Sequence, residues 1–106
     1  TAKEFVTGYK AWLNADKQNL TNNGGNDVVA AVSALGYDAY MTAVAAIEAA
    51  QSTKGSDIQA ALKTLKTDGV TGAISFDENG DAIKDTAYIK QAVDGAFQFV
   101  KVQTAK

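Results

Sequence analysis

The chain has 106 residues, with 10 lysines against 12 Asp and Glu, a formal charge of -2 and 46% hydrophobic residues, which makes one domain at most with a modest core. It contains no Cys, His, Pro or Arg, which excludes Ser-His and Cys-His nucleophiles, thiolate or imidazole metal sites, a disulfide framework and a bidentate guanidinium fork. Scattered lysines on a slightly acidic chain also argue against a nucleic-acid surface, and no apolar run approaches the roughly 18 residues of a membrane span.

In chain order, Phe5, Val6, Tyr9, Trp12 and Leu13 fall on one side of a 3.6-residue helix, predicting an amphipathic helix over 2–14 with Tyr9 and Trp12 as core anchors. Residues 16–26 are polar and Gly-rich without periodicity, the composition of an exposed loop. From about Asp27 to Gln51 the chain is Ala-rich, with Val32, Leu35, Tyr40, Val44 and Ile47 at helical steps; Gly36 is a candidate interruption. So thin a cylinder is expected to pack on more than one side. Ser56 and Gln59 have the spacing of a capping box, opening a helix that carries Ile58, Ala61, Leu62 and Leu65 and ends near Lys66.

After Gly69 the period drops to about two. Residues 72–77 read as a short strand and 78–81 as a turn. Asp94-Gly95 suits a type I′ turn between strands 88–93 and 96–102, a register that sets Ile89 opposite Val100 and Lys90 opposite Phe99. One face then carries Ile89, Val93, Val100 and Val102, the other Tyr88, Phe97 and Phe99, so the hairpin calls for cover on both sides. About three helices followed by short strands do not close a sheet, which marks an α/β fragment of a larger layered structure.

The run Leu35-Gly36-Tyr37-Asp38-Ala39 opening an Ala-rich helix, followed by Ser-Asp-Ile-Gln-Ala-Ala-Leu and by Gly69-Val70-Thr71-Gly72-Ala73-Ile74-Ser75-Phe76-Asp77-Glu78-Asn79-Gly80-Asp81, resembles the C-terminal part of the type I periplasmic binding proteins, in particular the leucine/isoleucine/valine-type receptors of ABC transporters. The resemblance covers about Ala2 to Val102, nearly the whole chain. It implies one-third of a two-lobed α/β flytrap, with residues 2–81 in the first lobe and 88–102 forming a hinge crossing and the terminal hairpin of the second. Two departures stand out: an Asn/Gly-rich loop replaces a short Pro-containing connection, and Ala82 stands where many relatives have Pro.

Two candidate sites follow. Tyr37 and Asp38, an aromatic face and a carboxylate at the start of a helix, suit an amino-acid side chain and its ammonium, and the resemblance puts an aromatic near this position beside the inter-lobe cleft. The bland alternative is a core tyrosine and an aspartate favoured by the helix N-terminus. Asp77, Asn79 and Asp81 echo positions 1, 3 and 5 of a calcium loop, but Ala82 stands where Gly is required and Tyr88 where Glu is, so a turn is expected and no metal.

Together these imply the solute-binding component of an ABC importer and no enzyme. It would need no cofactor, capture an amino acid of branched-chain or similar type, and deliver it to a permease. It is expected in the periplasm or lipid-anchored on the outer face of the bacterial membrane, any targeting segment having been removed or lying upstream. The different-class alternative is a stand-alone structural or interaction module, in one version calcium-stabilised. Uncovered strand edges and apolar faces further predict that isolated chains associate as a homodimer, most simply by swapping the hairpin.

Overall fold

The computed structural model describes residues 1–104, as four helices followed by two separate two-stranded antiparallel sheets. Helix α1 (Ala2–Ala15) opens with a capping box between Thr1 and Glu4 and buries Leu13, which is 1% exposed. Trp12, expected as a core anchor, is instead 53% exposed, and Tyr9 is half-buried.

The stretch expected as an unstructured loop contains helix α2 (Lys17–Asn22). Asp16 breaks α1 with an extended backbone and caps α2, its carboxylate accepting from the Gln18 N–H at 2.7 Å. Asn19 Nδ2 then donates to the Trp12 carbonyl at 3.0 Å, which folds α2 back on α1. Asparagines also build the loop that follows, where Asn23 Nδ2 donates to the carbonyls of Asn26 and Val28, and Asn26 accepts from the Val28 N–H.

Helix α3 (Ala31–Ala50) starts later than the Ala-rich pattern suggests and runs through Gly36 without a break. Its buried stripe is Asp38, Thr42 and Ala46 at i, i+4 and i+8. Of the larger apolar residues that mark its helical period, Val32, Leu35, Tyr40 and Ile47 are exposed and Val44 is half-buried. The contacts explain the inversion: α3 packs on helix α4 (Gly55–Leu62) and strand β1 (Thr67–Gly69), and close approach selects small side chains on that side.

Ser56 lies inside α4 and caps nothing. The stop before α4 is Ser52, whose hydroxyl accepts from the Lys54 N–H and donates to Asp57 at 2.7 Å. The helix ends at Leu62 rather than near Lys66, because the chain must be extended by Thr67 to pair β1 with β2 (Gly72–Ile74), in the register Thr67 to Ile74 and Gly69 to Gly72. The second short strand begins where expected, although its ladder stops at Ile74 and resumes only as a bridge from Phe76 to Ala82. Between them the turn forms as read: Asp77 Oδ1 accepts from the N–H groups of Asn79 and Asp81, both at 2.9 Å.

Strands β3 (Thr86–Val93) and β4 (Ala96–Thr104) meet at Asp94 and Gly95, both with positive φ, the geometry of the type I′ turn. Lys90 pairs with Phe99 as expected. The next pair is Ile89 with Lys101, because Val100 is accommodated as a bulge. Beyond the bulge the alternation reverses, so Val102 lies opposite Tyr88 and joins Phe97 and Phe99 on that face. Neither face is covered: every residue of the two strands is exposed except half-buried Val93, and Phe97 is 79% exposed. Among the described residues, no helix is long and apolar enough to cross a membrane.

Candidate functional site

Phe5, Tyr9 and Trp12 recur at i, i+4 and i+7 on α1 and form a ladder of rings. Centroids of Phe5 and Tyr9 are 5.6 Å apart at 13°, and those of Tyr9 and Trp12 are 5.6 Å apart at 24°. Tyr37, in the second turn of α3, extends the ladder from a second element, 5.1 Å from Phe5 and tilted at 46°. Three of these rings, Phe5, Tyr9 and Tyr37, border an open cavity of about 450 Å³, whose lining also includes Thr1, Glu4, Gly8 and Val70. Its size and mixture of aromatic walls with few polar groups suit a small amphipathic molecule. Among the described residues, Glu4 is the one charged side chain in its lining.

Asp38 lies beneath this wall, 3% exposed. Its Oδ1 accepts from the Val70 N–H at 2.8 Å, and Oδ2 accepts from the Thr71 N–H at 2.8 Å and the Thr71 hydroxyl at 2.5 Å. Burial pushes its carboxyl up, while the Thr71 hydroxyl, the Thr71 and Val70 amides and the positive charge of Lys84 pull it down further, leaving it below the ordinary 3.8. Gly69 completes the contact, since a Cβ there would stand 2.5 Å from Asp38 Cγ. The turn between β1 and β2 is therefore fastened to α3 at one point.

A second, larger cavity of about 990 Å³ also borders this turn, lined by Ala31, Leu35, Gly69, Val70, Thr71, Lys84 and Tyr88 among others. Val70 borders both cavities. The two residues singled out in the sequence thus stand side by side in the chain but face different ways, Tyr37 toward the first cavity and Asp38 toward the turn. Phe5, Tyr9, Gly69 and Thr71 escaped the sequence reading. The i, i+4, i+7 aromatic spacing was the available signal for the first two; the others depend on a contact more than 30 residues away in the chain. Among the described residues, no group of three or more His, Cys, Asp or Glu is placed to hold a metal.

Aromatic walls with few polar groups suit a small-molecule ligand, and comparison with known proteins points to the same class. Residues 1–94 match the family described as the receptor family ligand binding region. The crystal structure of the leucine binding protein LivK from Thermotoga maritima MSB8 superposes with a TM-score of 0.68 at 36% identity, over 97% of this chain and 26% of that one. No curated protein matches the chain. The chain belongs to the receptor ligand-binding-region family, with an α/β fold corresponding to part of a type I periplasmic binding protein. The family and the LivK relative are ligand-binding proteins rather than enzymes, and the chain spans about a quarter of the length of that relative.

Proposed function

We propose that the chain is part of an extracytoplasmic solute receptor of an ABC importer, periplasmic or lipid-anchored on the outer membrane face, and that its ligand is an amino acid with an apolar side chain. The observation that carries this is the aromatic cavity at Tyr37, set in a chain 36% identical to a leucine binding protein. In this reading Tyr37 contacts the ligand, with Phe5 and Tyr9 continuing its wall, and Asp38 acts from behind it. Residues 2–81 contribute to the first lobe. The hairpin at 88–102 crosses the hinge and belongs to the second, so ligand contacts made by both lobes favour the closed form that a permease recognises. The hairpin supports such a crossing, since among the described residues every one of its strand residues is exposed except half-buried Val93.

Titration calorimetry with L-leucine tests the ligand assignment. Saturable heat is expected, with Tyr37→Ala weakening binding about tenfold through loss of one aromatic contact. An unbound wild-type chain at millimolar leucine overturns the assignment. Heat from millimolar calcium alone would instead favour a metal-stabilised structural module.

A further inference from the structure

The turn between β1 and β2 carries Val70, which lines both cavities, and the buried Asp38 carboxylate ties that turn to α3. We infer that Asp38 is a positioning residue of the ligand site: by holding the Val70 and Thr71 amides and the Thr71 hydroxyl, it sets where Val70 stands relative to Tyr37. The inference rests on the ligand-site reading above. Its physical basis is independent of the family. Strands β1 and β2 have three residues each and, among the described residues, pair only with each other, so their own ladder is a short support for the turn. The chain supplies one strong attachment, a buried carboxylate with three donors from two consecutive residues, and Gly69 leaves room for it. Tyr37 is the neighbour of Asp38 on α3, and Val70 is the residue whose amide Asp38 holds. Ring and aliphatic wall are therefore referenced to the same turn of helix.

Removing the attachment should let the turn shift while the helices persist, enlarging the cavity and blurring one wall. The experiment uses L-leucine as probe with the 106-residue chain and its Thr71→Val, Thr71→Ser and Asp38→Asn variants. Three quantities are read on each: leucine affinity, amide exchange at Val70 and Thr71, and helix content by circular dichroism. Expected are slow exchange at both amides in the wild type, and faster exchange with at least fivefold weaker leucine binding in Thr71→Val at unchanged helix content. Thr71→Ser, which keeps the hydroxyl, should bind like the wild type. Asp38→Asn should exceed Thr71→Val in both effects; if it fails to fold, the threonine pair decides. Unchanged leucine affinity in Thr71→Val despite faster exchange overturns the inference and leaves the ligand site standing. Freely exchanging Val70 and Thr71 amides in the wild type also overturn it. Absence of leucine binding by the wild type defeats the ligand-site reading itself, and this inference with it.

Discussion

A carboxylate that is 3% exposed with three hydrogen-bond donors is a stability statement as well as a positional one. The Asp38 carboxyl sits below its ordinary value in the folded chain, so its ionised form stabilises the fold at pH values above the unfolded pKa. That contribution is lost as pH falls through the lower folded value. Urea midpoints measured from about pH 5 to about pH 2 should therefore fall less steeply in Asp38→Asn than in the wild type. An equally steep fall in the variant would show that the acid sensitivity arises elsewhere. Gly69 is constrained by the same contact. Its φ is not in the left-handed region, so backbone conformation does not demand glycine there. Space does, with a Cβ placed 2.5 Å from Asp38 Cγ. Gly69→Ala should therefore destabilise the chain by roughly 1–3 kcal/mol, an overpacking cost, as read from its unfolding midpoint. Asp38→Ala, which removes the obstacle, should make the same substitution nearly neutral, because the two residues share one contact.

At the scale of elements, periodicity and local chemistry differ in what they reveal. Helix α1, the existence of α3 and α4, the Asp77 turn and the Asp94-Gly95 turn were legible because each depends on residues within a few positions. The register of the hairpin near its turn was legible for the same reason. The bulge at Val100 was not, since nothing in a run of alternating residues marks where the ladder takes in an extra one. Helix α2 was hidden by its polar composition, and the Asp16 cap that starts it was a readable signal. The buried stripe of α3 eluded hydropathy altogether, because tight packing against α4 and β1 favoured Asp38, Thr42 and Ala46 over larger residues. Tyr37 was legible as a candidate from its place in a familiar run, whereas the partners of Asp38 are set by tertiary contact. The hairpin also behaves as a separate element. Gly95 has φ 79°, where a side chain costs about 1–2 kcal/mol, and an uncovered two-stranded ribbon has little stability in reserve. Gly95→Ala should thus abolish cross-strand nuclear Overhauser contacts between Tyr88 and Val102. The thermal midpoint of the helical signal should stay where it is. A matching drop in that midpoint would mean the hairpin and helices unfold together.

The molecule as a whole exposes more surface than its mass allows a closed globule. Its accessible area is 8002 Å², whereas a compact monomer of this mass exposes about 5,700 Å². The radius of gyration, 16.7 Å, likewise exceeds the roughly 13 Å of a compact chain of this length. Much of the excess is apolar: Tyr88, Phe97, Phe99 and Val102 on one hairpin face, and Val32, Leu35 and Tyr40 along α3. The difference of about 2,300 Å² is on the scale that a stable interface buries. A chain that corresponds to a quarter of its LivK relative would turn these faces toward the rest of a two-lobed receptor, and the same faces on isolated chains have only one another. Sedimentation velocity should accordingly show a dimer or larger species at tens of micromolar chain. Phe97→Lys with Phe99→Lys should shift it toward monomer, because adding charge to the ribbon face opposes both edge pairing and hairpin exchange. Persistence of the dimer in that double variant would move the interface to α3. A wild-type monomer at millimolar concentration would mean that water tolerates these faces, and the case for hairpin swapping would fail.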